Sequence, residues 1–268
     1  MPPVTNECAP RIVHPHIRRI ALADPSVIAV IPARYGSSRL PAKALAEIAG
    51  VPMVVRVWRQ ASRSRSLSRV VVATDDERIA APVRAAGGEA IMTSPDHPSG
   101  TDRIAEVARK VPADIYINVQ GDLPFIEPAD LDALAAPMRA DQTLAMATIA
   151  TPIVDEHEWQ NPNVVKVVCS STGDALYFSR SPIPFAREGG IPEVALRHIG
   201  VYAYRRDFLL RFSTLSQGVL EQIEKLEQLR ALEHGFRIRV VASVAPSLEV
   251  DTAEDLKRAR DAAEESTR

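Results

Sequence analysis

The sequence is poor in cysteine, carries almost no surplus charge and has no long apolar run, and each shortage removes a class of protein. Among its 268 residues there are two cysteines, Cys8 and Cys169. They stand far apart and in no metal-ligand spacing, so neither a disulfide framework nor a zinc site is expected, and a reducing, cytoplasmic setting fits. The formal net charge is -2, which argues against a nucleic-acid binder that works by bulk phosphate neutralisation. Any phosphate site has to be local. No apolar stretch reaches the roughly 20 residues of a membrane span, so no membrane partner is expected. Internal repeats and low-complexity tracts are missing as well.

What is present is an ordinary globular composition, with 46% hydrophobic and 25% charged residues. The length suits one α/β domain carrying an inserted lobe. Residues 1–26 are punctuated by proline, mixed in charge and without an apolar signal core. They read as a flexible tail ahead of a single domain over 27–268.

Val27-Ile-Ala-Val-Ile31 is a continuous β-branched run stopped by Pro32, the pattern of a strand covered on both faces. The same pattern returns at Arg69-Val-Val-Val-Ala73, which runs into Asp75 and Asp76, and at Ile115-Tyr-Ile-Asn-Val119, which runs into Gln120-Gly-Asp122. Helical segments are expected between them at 53–61, 77–86 and 102–110, with Asp76 and Thr101 as caps and Gly87-Gly88 as a stop. This alternation predicts a mostly parallel sheet sandwiched by helices, a Rossmann-like α/β fold. Ligands of such sheets gather beyond the carboxyl ends of the strands, where Arg34, Asp75 and Asp122 fall. After about residue 151 the shorter strand-turn-strand segments at 163–168, 175–179 and 200–204 predict an antiparallel addition. Apolar residues at Leu220, Ile223, Leu226, Leu229 and Leu232 predict one amphipathic helix over 217–233. A strand at 238–244 and a closing helix at 251–263 complete the expected order.

Arg34, Arg39 and Lys43 surround a loop that carries Gly36, Ser37 and Ser38 and is stiffened by Pro32 and Pro41. The spacing of a P-loop is absent. Three cations and free backbone N–H groups directly after a buried strand can still surround one polyanion, and a triphosphate fits.

The stretch Ile31-Pro-Ala-Arg-Tyr-Gly-Ser-Ser-Arg-Leu-Pro-Ala-Lys43 resembles the nucleotide loop of sugar nucleotidylyltransferases, and more narrowly that of the CMP-Kdo synthetase family, the 3-deoxy-manno-octulosonate cytidylyltransferases. The resemblance continues through Ala73-Thr-Asp75, His97-Pro-Ser-Gly-Thr-Asp-Arg103, Asn118-Val-Gln-Gly-Asp122, Tyr177-Phe-Ser-Arg180, Arg197-His-Ile-Gly-Val-Tyr202, Leu226-Glu-Gln-Leu-Arg230 and Val250-Asp-Thr252. It covers nearly everything from Val27 onward.

The resemblance implies the nucleotide-diphospho-sugar transferase fold with a smaller antiparallel lobe, sugar binding and dimerisation within about 151–235, and a homodimer. It implies CTP and an eight-carbon acidic sugar as substrates, CMP-Kdo for lipopolysaccharide biosynthesis as product, and Mg2+ as cofactor. Arg34, Lys43, Asp122 and Asp251 are then the catalytic candidates, with Asp122 and Asp251 on the metal. CTP falls to Pro32, Ala33, Arg34, Ser37, Arg39, Lys43, Thr74, Asp75, Ser99, Gly100 and Arg103. The sugar falls to Gln120, Arg180, His198, Tyr202, Glu227 and Gln228, which offer a cation for its carboxylate and hydrogen-bonding groups for its hydroxyls.

Three positions depart from the family pattern: Leu123 where many relatives carry an acidic residue, Ala42 in place of a frequent glycine, and the Ser247-Leu-Glu-Val250 approach to Asp251, which lacks a common glycine. Leu123 is expected to alter metal affinity or sugar choice. Two other readings stay open: a CMP-sugar synthetase for sialic acid or 8-amino-Kdo, and a non-catalytic nucleotide-binding regulator.

Overall fold

The computed structural model describes residues 24–36, 40–245 and 248–265. Residues 1–23 of the expected tail, together with Ser37, Ser38, Arg39 and Ser247, lie outside the described residues. Ser26, the last residue of that expected tail, is tied down: its backbone N–H and its hydroxyl both donate to Asp114 Oδ2, at 2.7 and 2.8 Å.

The chain enters the sheet through β1 (Val27–Ala33). A short ribbon, β2 (Glu47–Ile48) and β3 (Val51–Pro52), leads into α1 (Met53–Ala61). Then follow β4 (Arg69–Thr74), α2 (Glu77–Ala85), β5 (Glu89–Met92), α3 (Gly100–Lys110), β6 (Ile115–Asn118), α4 (Pro128–Ala140) and β7 (Met146–Pro152). The irregular part comprises α5 (Glu156–Gln160), β8 (Lys166–Cys169), β9 (Ala175–Ser179), β10 (Leu196–Arg205), α6 (Arg206–Phe212), α7 (Val219–Glu224) and α8 (Leu229–Glu233). β11 (Ile238–Ala242) and α9 (Ala253–Glu265) close the chain.

The strands are ordered β11-β7-β10-β6-β1-β4-β5. β1 pairs in parallel with β4 and β6, as do β4 with β5 and β7 with β11, whereas β10 runs antiparallel between β6 and β7. The expected antiparallel addition is the β8/β9 hairpin, which is hydrogen-bonded onto β10 and so continues the main sheet. Two-residue periodicity splits each strand between the two faces. Val27, Ala29 and Ile31 pack with α1 and α4, while Ile28 and Val30 pack with α3 and α6 on the other side. This double coverage is why β1 reads as a continuous apolar run.

Two expectations change. The segment 217–233 is two short helices, because Lys225 adopts a left-handed conformation (φ 55) that ends α7 and turns the chain before α8. The cap of α3 is Ser99, whose hydroxyl accepts from the Asp102 N–H at 3.1 Å, while the Thr101 hydroxyl turns away to donate to Glu227. Asp76 does cap α2, accepting from the Arg78 N–H. Among the described residues no helix is long and apolar enough to cross a membrane.

Candidate active site

The chain crosses from β1 to β4 and β5 on one side and then returns to β6 on the other, so the sheet has a switch point between β1 and β6. Above their carboxyl ends lies a cleft of about 350 Å3. Its walls come from the loop after β1, the loop before α3, the loop after β6 and the segment before α9. The loops approach closely. A Cβ on Gly121 would lie 3.1 Å from the Pro32 carbonyl oxygen, and one on Gly100 3.3 Å from Pro32 Cγ, so both positions favour the smallest residue.

Lys43 starts a 3-10 turn whose preceding residue, Ala42, sits in the left-handed region at φ 51. Glycine adopts that conformation without the steric cost that a Cβ brings. Lys43 Nζ donates to Asp122 Oδ2 at 2.6 Å and to Asp251 Oδ1 at 2.8 Å. Burial works against the ammonium, but the two carboxylates outweigh it and hold the Lys43 pKa above its ordinary value. Asp251 is brought in by its own segment: the Val250 N–H donates to the Asp122 carbonyl at 3.0 Å, and Val250 is fully buried. Thr252 and Asp255 cap α9 reciprocally, so Asp251 stays outside the helix with its carboxylate toward the cleft.

A third carboxylate, Glu249, stands beside the other two; ligand atoms of Asp122, Glu249 and Asp251 lie within 4.8 Å of one another. The residue as a whole is exposed, but loss of water around its carboxyl and the charges of Asp122 and Asp251 push the Glu249 pKa up. Sequence reasoning missed it, although Glu249 and Asp251 stand two apart, on either side of the buried Val250. The donor set suits a hard divalent cation, since all ligands are carboxylate oxygens and the buried Asp122 Oδ1 has no hydrogen-bond partner. Leu123 is not part of this group. It is 2% exposed and packed in the core beside α1 and α4.

The cleft gathers Pro32, Ala33, Arg34, Lys43, Ser99, Gly100, Arg103, Gln120, Asp122 and Asp251 from the sequence-based set. It also includes His97, which sequence reasoning did not single out and which pairs with Glu106. Thr74 and Asp75 do not line it. The fully buried Thr74 accepts the Asp76 N–H on its hydroxyl, and Asp75 lies 3.4 Å from the buried guanidinium of Arg103.

Tyr202 and His198 follow one another along β10, with ring centroids 5.3 Å apart. The register of β10 against β7 shifts between Ile199 and Tyr202, at Gly200, whose missing Cβ faces the Gln120 side chain. His198 Nε2 is 2.9 Å from the Thr148 hydroxyl, and burial pushes its pKa down to about 3, so the ring is neutral. Burial and the nearby Glu227 push the Tyr202 hydroxyl up. Glu227 is itself raised by burial, and Gln228 is 4% exposed with no partner for its Nε2. Arg180 stands apart from the cleft wall, donating to the backbone carbonyls of Glu224 and Pro162.

A mostly parallel sheet with a cleft at its switch point, lined by Arg34, Lys43 and Arg103 and by three carboxylates, is a layout suited to an enzyme that handles a phosphorylated nucleotide. Comparison with known proteins narrows this class. A cytidylyltransferase family model matches residues 28–238. A 3-deoxy-manno-octulosonate cytidylyltransferase of Geobacter metallireducens is 51% identical over 87% of this chain and 95% of its own length. Another, of Geobacter sulfurreducens, is 50% identical over 87% and 97%. The solved structure of a CMP:2-keto-3-deoxy-manno-octonic acid synthetase complexed with CTP superposes with a TM-score of 0.85 at 48% identity, covering 90% of this chain and 99% of that one. The chain belongs to the family of 3-deoxy-manno-octulosonate cytidylyltransferases. The fold extends further, to 4-diphosphocytidyl-2C-methyl-D-erythritol synthase of Anaerococcus prevotii, with a TM-score of 0.61 at 13% identity.

Proposed function

We propose that this cytidylyltransferase joins the cytidylyl group of CTP to 3-deoxy-manno-octulosonate (Kdo) in a Mg2+-dependent reaction, activating the sugar for lipopolysaccharide biosynthesis. The anomeric hydroxyl of Kdo attacks the α-phosphorus of CTP. The new O–P bond forms as the bond to the oxygen bridging the α- and β-phosphates breaks, CMP-Kdo and pyrophosphate result, and the proton of the sugar hydroxyl passes to solvent.

The observation that carries this reading is the meeting of Lys43, Asp122 and Asp251 at 2.6 and 2.8 Å in the cleft of a chain about half identical to Kdo cytidylyltransferases. Arg34, Arg39 and Lys43 hold the triphosphate and offset charge on the departing pyrophosphate. Pro32, Ala33, Ser37, Ser99, Gly100 and Arg103 bind the remainder of the nucleotide, with Asp75 acting through Arg103 and Thr74 supporting its loop. Asp122 and Asp251 hold the metal, which when bound neutralises phosphate charge. Gln120, His198, Tyr202, Glu227 and Gln228 read the hydroxyls of the sugar, and Arg180, at the end of β9, is the cation for its carboxylate. Catalysis is then mostly positioning and electrostatics.

The same proposal makes the enzyme a cytoplasmic homodimer. Val154, Phe185 and Val194, exposed by 87%, 87% and 66% within the region after residue 151, support a second copy as their cover.

Pyrophosphate release with CTP and Mg2+, run in parallel with Kdo, 8-amino-Kdo and sialic acid, tests the proposal. Release with Kdo, abolished by chelation, is expected. Release only with another sugar replaces the substrate, and silence with all three removes the catalytic reading.

A further inference from the structure

Lys43 points its ammonium between the two carboxylates that the proposed function gives to the metal, with Nζ 2.6 Å from Asp122 and 2.8 Å from Asp251. Both contacts have the length of charge-assisted hydrogen bonds. Lys43 takes one oxygen of each carboxylate, Asp122 Oδ2 and Asp251 Oδ1, so its ammonium sits between the groups where a divalent cation held by both would be centred, and two positive charges cannot share that position.

We propose that Lys43 is a resident counter-ion: in the nucleotide-free enzyme its ammonium occupies the cation position between Asp122 and Asp251, and it yields that position to a bound metal ion, at a lower metal concentration when polyphosphate arrives with it. The inference rests on the metal reading above and adds an order of events to it.

Electrostatics requires some cation there. Asp122, Glu249 and Asp251 are close enough to repel strongly if left without one. The side chains of Lys43, Asp122 and Asp251 are 19%, 15% and 24% exposed, so water screens that repulsion only in part. Lys43 neutralises one charge and holds Asp122 and Asp251 on a common centre, keeping the two loops in register before any ligand binds.

The residue is also built to leave. Its backbone is anchored, with its N–H donating to the Leu40 carbonyl and its carbonyl accepting from the Ala46 N–H, whereas its charge sits on a four-carbon stem that rotates without moving the loop. Metal ion alone has to expel the ammonium and gains nothing to hold it elsewhere. A triphosphate offers the ammonium new acceptors beside Arg34 and supplies the metal with further oxygens. Metal and nucleotide therefore strengthen each other, by the reciprocity of linked binding.

The test is Mn2+ binding, followed by electron paramagnetic resonance in the absence of nucleotide, to the wild type, Lys43→Met, Lys43→Gln, and the same three with Asp251→Asn. Both single Lys43 variants are expected to bind Mn2+ at least tenfold tighter than the wild type, although they lose turnover, and Asp251→Asn is expected to abolish binding in every background. Equal or weaker binding by the Lys43 variants, with Asp251→Asn still abolishing it, overturns the counter-ion inference and leaves the metal reading standing. Undiminished binding in the Asp251→Asn series overturns the metal reading itself. A measurement on the wild type is independent of how the variants fold: acetylation of Lys43, read by mass spectrometry, is expected to be slow in the free enzyme and to rise several-fold at saturating Mn2+. No rise at saturation overturns the inference.

Discussion

His198 makes the stability of this enzyme depend on pH in a direction that can be worked out beforehand. The ring is enclosed by Phe178 at 5.0 Å, edge to face, and by Tyr202 at 5.3 Å, and its Nε2 meets the Thr148 hydroxyl. Burial lowers its pKa from 6.5 to about 3. The folded chain therefore refuses a proton that the unfolded chain accepts below about pH 6.5, and folding loses stability as pH falls from there toward about 3. Between pH 7.5 and pH 5.0 the loss from this one group is about 2 kcal/mol, from a slope of about 1.36 kcal/mol per pH unit over the titrating part of the interval. Other groups titrate as well, so the assay is a comparison: urea unfolding of the wild type and of His198→Gln at both pH values and one protein concentration. Glutamine keeps a polar contact for Thr148 but cannot titrate. The variant is expected to be less stable at pH 7.5, by about 1–3 kcal/mol, through lost packing. At pH 5.0 that deficit should shrink by about 2 kcal/mol. A deficit equal at the two pH values would show that folded His198 takes up a proton freely, and the argument from burial would fail.

Three further outcomes follow from specific contacts. Asp251→Asn should lower kcat by about 100-fold or more, the scale of losing one electrostatic contact to the transition state, with little change in the urea midpoint; undiminished turnover in a stopped pyrophosphate assay would remove Asp251 from the site. Glu221 and Arg230 form a two-bonded ion pair at 2.6 and 2.8 Å, with side chains 7% and 9% exposed, so Glu221→Ala should cost about 3 kcal/mol or more and lower the melting temperature by several degrees in calorimetry. Ala42→Gly should raise stability by about 0.5–1 kcal/mol, because the left-handed backbone at φ 51 carries a penalty for any Cβ; a lower urea midpoint would contradict this account of the loop.

What could be read from the sequence divides along the range of the forces involved. β1, β4 and β6 announce themselves because a strand covered on both faces needs apolar residues at every position, and the helix at 53–61 does so because its buried side repeats every three to four residues. The segment 217–233 deceived the same reasoning: its apolar spacing is helical throughout, but one left-handed residue, Lys225, breaks it, and nothing local in a lysine signals that conformation. The site was legible in its cations and in the aspartates at the strand ends. Their mutual geometry was not. Lys43 and Asp251 are separated by 208 residues and meet only because β1 lies next to β6 and because Val250 is bonded to the Asp122 carbonyl. Those pairings are properties of topology. The resemblance to a family supplied the residues, and only the fold shows that the lysine assigned to the phosphates rests on the carboxylates assigned to the metal.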